Sequence, residues 1–423
     1  MATLYCGPSN TGNGSGSNFS NLLALPNTTG FTRGNTYIIV DGSYGSKTLS
    51  TATSGSTTIT IKKASAADSA VTGYNANLHD GEATFGSISV ASKYWVINGV
   101  TRTETALMGA PAGYGIRASS LSGTDAFVDA DTASNSQFSY MDIGGTYDAG
   151  NTPVCSQTDS SAIRFVYVHH DIVFSRCIFH NRGSNNSAIA MMHGSSGITW
   201  DHCDFYHGWG KATIAAPNAG CQTWTVRYCR FWNSSRLDSF CGSDGGGITC
   251  EVGAYGNDLN PNGIIVHGCT FYGTASGGRN AVLDFAGSGF SNSVATNCKV
   301  FNNTFVGFPE SPVLSHIYFY GGSGNEARNN LFWDVAGSMA ITVNTASNNV
   351  DATVNPFVDY ANRDFRITSG SQARNVGYNV GSPYNTDPLG VTRGADGTWD
   401  VGAYEYSAGG ATPPLGTPIL SVR

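Results

Sequence analysis

The stretch Trp200-Asp-His-Cys203-Asp-Phe205 recurs along the middle of this chain. It reads Phe174-Ser-Arg-Cys177-Ile-Phe179 one copy earlier and Val226-Arg-Tyr-Cys229-Arg-Phe231 one copy later. It continues as Val266-His-Gly-Cys269-Thr-Phe271, Val300-Phe-Asn-Asn303-Thr-Phe305 and Ala327-Arg-Asn-Asn330-Leu-Phe332. Counting from the Cys or Asn, an apolar residue stands three before and a phenylalanine two after. Successive central residues are 26, 26, 40, 34 and 27 positions apart. Such a period, with strand-type apolar residues, signals a solenoid, because one unit cannot bury its own apolar face and must stack on the next.

Between the copies lie Gly, Asn and Ser and short β-rich runs such as Ala188-Ile-Ala-Met-Met192 and His316-Ile-Tyr-Phe-Tyr320. No amphipathic helical segment of useful length interrupts them. About three short strands per period, separated by polar turns, give an all-β chain wound as a parallel β-helix. Phe138-Ser-Tyr-Met141-Asp-Ile143 is a weaker copy, with Met in the central slot.

The repeat resembles that of right-handed parallel β-helix proteins, the pectate-lyase-like superfamily, of the extracellular bacterial or phage type. The resemblance implies a single-stranded right-handed solenoid with capped ends and an Asn ladder at one turn. Asn303 and Asn330 match the ladder; Cys177, Cys203, Cys229 and Cys269 replace it. It also implies a division into an N-terminal cap (1–36), the β-helix (37–345), a C-terminal closing segment (346–410) and a linker-like tail (411–423). The order Tyr37-Ile-Ile-Val-Asp-Gly42, Thr58-Ile-Thr-Ile-Lys-Lys63, Tyr94-Trp-Val-Ile-Asn-Gly99 resembles the opening coils of secreted bacterial members. Asp387-Pro-Leu-Gly390 and Trp399-Asp-Val-Gly-Ala-Tyr-Glu405 resemble their closing segment. A solenoid end exposes strand edges and must be covered, so Asp400 and Glu405 read as local hydrogen-bond acceptors, not catalytic groups.

Composition agrees. The 423 residues include 54 Gly and only 12% charged residues, which suits a solenoid of many tight turns. A net charge of −7 speaks against nucleic acid and anionic membranes as partners. No run of 18 apolar residues exists, so no membrane insertion is expected. The start lacks a basic stretch followed by an apolar core, so no signal peptide is read. An extracellular setting (secreted, cell-surface or phage particle) then implies a mature form with an added Met, or release by lysis. Of ten cysteines, the four in the ladder and Cys298 read as small buried core residues. Cys241 and Cys250 could close a small loop, and no CxxC spacing points to zinc.

Chemistry is expected on an outer sheet face, where one residue per coil forms a row about 4.8 Å apart. If the Ile and Phe of Ile163-Arg164-Phe165, Ile189-Ala-Met-Met192, Ile248-Thr-Cys250-Glu251, Leu283-Asp284-Phe285 and Ile317-Tyr318-Phe319-Tyr320 point inward, then Arg164, Met192, Glu251, Asp284, Tyr318 and Tyr320 point outward. His193 closes one of these strands. Glu251 and Asp284 on neighbouring coils would bring two carboxyls to about 5–6 Å, a spacing that suits a retaining glycosidase. The same oxygens would alternatively suit Ca²⁺. Tyr318 and Tyr320 offer flat faces for sugars.

A second constellation is basic. Arg182, Lys211 and Arg236 each follow the Phe turn, with His180 and His207 nearby. Elimination from a uronic acid needs a base at C5 and a cation on the carboxylate. Lys211 or His207 would supply the first and Arg182 the second. Polysaccharide lyases of the superfamily similarly use Lys or Arg on adjacent coils. The pairs His169-His170 and Asp201-His202 do not chelate a metal if neighbours on a strand point to opposite faces. The expected function is binding and cleavage of an extracellular polysaccharide by a monomer or homotrimer. The rival is a non-catalytic structural or adhesive β-helix, such as a tailspike-like phage appendage.

Overall fold

A computed structural model describes residues 1–103, 113–119, 127–129, 133–144, 163–165, 170–182, 188–192, 195–208, 212–216, 222–232, 252–254, 260–273, 282–285, 294–308, 316–319, 321–337 and 339–408. Three parallel sheets of 13, 11 and 10 strands run the length of the described chain. Each coil contributes one strand to the first sheet (for example Ser196–Asp201), one to the second (Asp204–Gly208) and one to the third (Ala212–Ala216). Every strand pairs in register with its counterpart one coil away, as Trp200 does with Phe174 and Val226. The chain is therefore a parallel β-helix, and among the described residues no helix is long and apolar enough to cross a membrane.

The repeated phrase is the corner between the first and second sheets. Its middle residue is left-handed in every copy: Arg176, His202, Tyr228, Gly268, Asn302 and Asn329 have φ between 52° and 63°. Only glycine takes that conformation freely. The others are held in it by the coil above. The His202 N–H donates to Arg227 O at 3.1 Å and the Tyr228 N–H to His267 O at 3.0 Å. This corner has the same length in each copy. The long intervals of 40 and 34 residues are therefore taken up at the other two corners.

The Cys/Asn slot points into the core. Asn303 Nδ2 donates to Val266 O at 3.0 Å, and its Oδ1 accepts from the Cys269 N–H at 2.9 Å. Asn330 repeats the pattern, and Asn349 extends it one coil beyond the copies legible in the sequence. The thiols of Cys177, Cys203, Cys229 and Cys269 donate to the same carbonyl of the preceding coil at 3.5 Å. They reproduce the amide's donor and lack its acceptor. These four and Cys298 are free and fully buried, as the repeat implied.

Asn303→Ala leaves the buried Cys269 N–H and Val266 C=O without that partner, at about 1–3 kcal/mol for each. Asn303→Cys keeps the donor, so its unfolding midpoint in urea should fall roughly half as far. Equal losses for the two variants would contradict this reading of the ladder.

Two residues after the slot, Phe179, Phe205, Phe231, Phe271, Phe305 and Phe332 stack face to face, with centroids 4.7–5.0 Å apart. Phe138, Phe174 and Trp200 form a shorter stack opposite. These rings fill the core at one coil per ring.

The C-terminal segment, expected to cover the last strand edges, lies along the flank instead. Phe357, Phe365, Ile367, Val401, Ala403 and Tyr404 pack on the outer face of the second sheet, over Ile178, Tyr206, Trp232, Val306 and Leu331. The outer residues of that sheet are apolar here and need cover, which gives the segment its place. It runs backwards along the first corner, bonded to Asn329 through Tyr378, to Tyr228 through Thr386 and to His202 through Pro388. A Cβ on Gly402 (φ 104°) would meet Thr304 Oγ1 at 2.9 Å and Leu331 Cβ at 3.0 Å, so only glycine allows this contact. Asp400 and Glu405 accept from nearby backbone: Asp400 from Asn375 and Tyr406, Glu405 from Gly394 and Asp400.

Candidate functional site on the third sheet

The outer row of the third sheet is fixed by register. It runs Thr48, Ser89, Val128, Arg164, Met191, Ala215, Gly253, Asp284, Tyr318 and Thr342 on successive coils. The alternate positions Leu283, Phe285, Ile317 and Phe319 are buried in the core, and Asp284 and Tyr318 take the register positions between them. Arg164 and Asp284 are four coils apart, about 19 Å at the usual strand spacing. Between them stand Met191, Ala215 and Gly253. By register, the two smallest residues of the row thus stand between a cation and an acid.

One sequence expectation changes. Arg164 pairs with Met191, so Met191 occupies the row and Met192 pairs with Phe165. The strand beside Asp284 is Val252–Ala254, so the neighbour of Asp284 on that side is Gly253. Gly253 thus stands in the row beside Asp284, and Glu251, the other member of the expected carboxylate pair, lies outside the described residues. The neighbour on the other side is Tyr318, whose side chain is half-buried.

Arg182 and His207 belong to the second sheet, in strands Ile178–Arg182 and Asp204–Gly208, and Arg182 pairs with Gly208, not with His207. Glu251, Lys211, His193, Tyr320, Arg236, Cys241 and Cys250 lie outside the described residues. By chain position, Lys211 immediately precedes strand Ala212–Ala216 and Glu251 immediately precedes Val252–Ala254. Those strands are neighbours, and both feed the row. Among the described residues no three His, Cys, Asp or Glu side chains converge to hold a metal ion.

Two polar clusters outside this row were not anticipated. On the first sheet, Asp201 accepts from His202 Nδ1 at 2.8 Å and from Arg227 at 3.1 Å. The expectation that Asp201 and His202 face apart fails because His202 is the left-handed corner residue, not a strand residue. The readable signal was the slot itself, where Gly268, Asn302 and Asn329 stand in later copies. Burial works to raise the Asp201 carboxyl, but His202 and Arg227 outweigh it and hold it below the ordinary carboxylate range. On the second sheet, Asp142 accepts from His180 Nε2 at 2.6 Å and Arg117 at 2.7 Å, and Arg117 also meets Glu82 at 3.3 Å. Burial raises the Glu82 carboxyl; at Asp142, burial is overridden by His180 and Arg117, and the carboxyl is lowered.

Two buried histidines set an acid limit on stability. Burial lowers His267 to about 3, helped by Arg227 and Arg393, and lowers His316 to about 4. A depressed histidine contributes stability that is whole above its unfolded value near 6.5 and is lost as pH falls through the folded value. For His316 the full swing is roughly 3 kcal/mol. The unfolding midpoint should therefore drop between pH 6.5 and 4, and His316→Gln should flatten that drop. A midpoint equally acid-sensitive in the variant would contradict it. Glu405, raised to about 7 by burial, has the opposite sign: its contribution is present at acid pH and fades as pH rises from about 4.5 through 7.

No family profile and no curated protein matches the chain. Among solved structures it superposes on the crystal structure of pectate lyase Pel9A with a TM-score of 0.62, over 96% of this chain and 97% of that one, at 14% identity. A mannuronic acid specific polysaccharide family 6 lyase from human gut microbiota matches at a TM-score of 0.26 and 9% identity, over 82% and 80% of the two chains. That second overlap is too loose to bear on the site. The first is a likeness of fold from end to end.

Proposed function

We propose, from a chain that has the fold of a pectate lyase along its whole length, that it binds an extended acidic polysaccharide across the third sheet and cleaves it by elimination. The observation that supports this reading best is the outer row of that sheet. It offers a cation (Arg164), small residues (Ala215, Gly253) and an acid beside an aromatic (Asp284, Tyr318), one per coil. A polymer lying along the row meets each in turn. Among the described residues the row neighbours of Asp284 are Gly253 and Tyr318, and the likeness of fold to a pectate lyase favours elimination over hydrolysis by a carboxylate pair.

In this reading Arg164 holds a uronate carboxylate at a distal subsite and Tyr318 stacks on a sugar ring. Cleavage falls near Gly253 and Asp284, at the entrance edge that Lys211 and Glu251 precede. A base, Lys211 or His207, removes the C5 proton. A cation, Arg182 in the simplest assignment, neutralises the carboxylate as charge builds on it. The C4–O bond then breaks, leaving a C4–C5 double bond on one product, and the departing oxygen takes a proton that Asp284 relays from water, giving a new reducing end on the other. His193 and Tyr320 are the further candidates for sugar contact. Substrate binding outside the cell follows from the polymer's own location.

The test is a panel of uronic and neutral polysaccharides, followed by ultraviolet absorbance of unsaturated uronate and by reducing ends. Both signals together are expected. Reducing ends alone would mean hydrolysis and would return attention to Glu251 and Asp284 as acid and base. Silence across the panel would favour the structural or adhesive reading. One observation supports that rival. The outer face of the first sheet carries Val96, Gln137, Val173, Thr199 and Thr225 in one row and Asn98, Ser139 and Ser175 in the next, a neutral patch between Lys62 and the Asp201–Arg227 pair that suits contact with another molecule.

A further inference from the structure

The two ends of the solenoid differ. At the N-terminal end the chain folds over its own first coil: Leu25 and Phe31 are buried, and Phe31 packs edge-on against Tyr37 and Trp95 with centroids 5.0 and 5.2 Å away. Thr28 bridges to Leu49, covering the first strand of the third sheet. At the other end the last strands, Ile341–Thr342, Thr345–Ser347 and Val350–Asp351, have a neighbour on one side only in the described structure. Ala346 sits at an inward register position, paired with the fully buried Ala327, and yet is exposed. The core is open there.

Natural sheet edges are blunted by charges, prolines or cover. Residues 339–350, Met-Ala-Ile-Thr-Val-Asn-Thr-Ala-Ser-Asn-Asn-Val, carry no charge and no proline, and Asp351, which ends the last strand, has its carboxylate on the Met339 N–H at 2.8 Å. The large apolar side chains most exposed on the described surface are Met1, Val294, Val354, Val358, Val376 and Tyr378. Two of them, Val354 and Val358, follow the last strand directly. A third, Val376, accepts at its carbonyl from Asn348 of the last coil.

We propose that this end is a homotypic interface, on which a second copy of the chain docks with Thr345–Ser347 pairing antiparallel to its own counterpart across a two-fold axis. An in-register strand edge is matched best by another strand edge. The covered N-terminal end excludes head-to-tail stacking, so the association closes as a dimer. The uncharged strand Thr345–Ser347 meets its copy without repulsion. The last coil with its exposed valines supplies about twenty residues a side, the size of a stable interface.

Sedimentation velocity of the full chain over a wide concentration range tests this. The expected result is a concentration-dependent shift from 44.3 kDa to twice that mass. Thr345→Lys and, separately, Val354→Lys should each weaken association at least ten-fold, with the circular dichroism and unfolding midpoint of the monomer unchanged because both side chains are exposed. A chain monomeric at every concentration would overturn the proposal. So would a dimer indifferent to both substitutions. Dimers that appear only when Ile419 and Leu420 are replaced by Asp would assign the end to the chain's own terminus and equally overturn it.

Discussion

Truncating Phe231 to alanine is expected to lower the unfolding free energy by about 3–5 kcal/mol, the usual loss for a large aromatic removed from a closed core. Phe231 is fully buried, with the rings of Phe205 at 4.8 Å and Phe271 at 4.7 Å lying almost parallel to it. The coils on either side are tied to it by backbone pairing through Arg230–Trp232, so they cannot close in to fill the space. The cost includes the apolar area returned to water and a cavity that persists. Phe231→Leu, which keeps most of the volume, should cost clearly less. Val358→Ala, on the exposed C-terminal segment, should stay within about 0.5 kcal/mol. Urea midpoints at constant slope would read all three. A Phe231→Ala loss no larger than that of Val358→Ala would mean that the stack is not what binds the coils.

The second large effect concerns cleavage. Asp284→Asn should lower kcat/KM by about 10²–10⁴, the range for a group handling a proton or charge at the reacting centre. Arg164→Ala should act differently. It stands four coils away and touches the polymer without touching the bond that breaks. Its loss should raise KM on long substrates and leave kcat nearly unchanged, and short oligomers that do not reach it should show no effect. If both variants lowered kcat alike on every length, the row would not be an extended binding track. If neither had an effect, the site would lie elsewhere on the molecule.

The solenoid was legible because its strongest signal is periodic. One coil places its Phe and its Cys or Asn at fixed distance from the corner, and six copies repeat that distance whatever the other corners do. The third sheet was legible in kind and misread in detail. Ile189-Ala-Met-Met192 is apolar throughout, so nothing in it marks which residue joins the row, and a slip by one exchanges the register positions of Met191 and Met192. The Asp201–His202 contact was missed because alternation was applied across a corner. The path of the C-terminal segment carries no periodic signature. It follows from tertiary complementarity: the apolar outer face of the second sheet at Ile178, Val306 and Leu331 needs cover, and Gly402 is the one residue that permits the approach.

Amide hydrogen exchange of the intact protein, with and without a saturating acidic polysaccharide, tests the central assignment most directly. The account predicts added protection confined to the third-sheet strands Ala212–Ala216, Val252–Ala254, Leu283–Phe285 and Ile317–Phe319. Strands of the first sheet, such as Ser196–Asp201 and Thr225–Arg227, should be unaffected. Protection centred on the first sheet, with the third unchanged, would contradict it and place the ligand on the flat Val/Thr/Ser face.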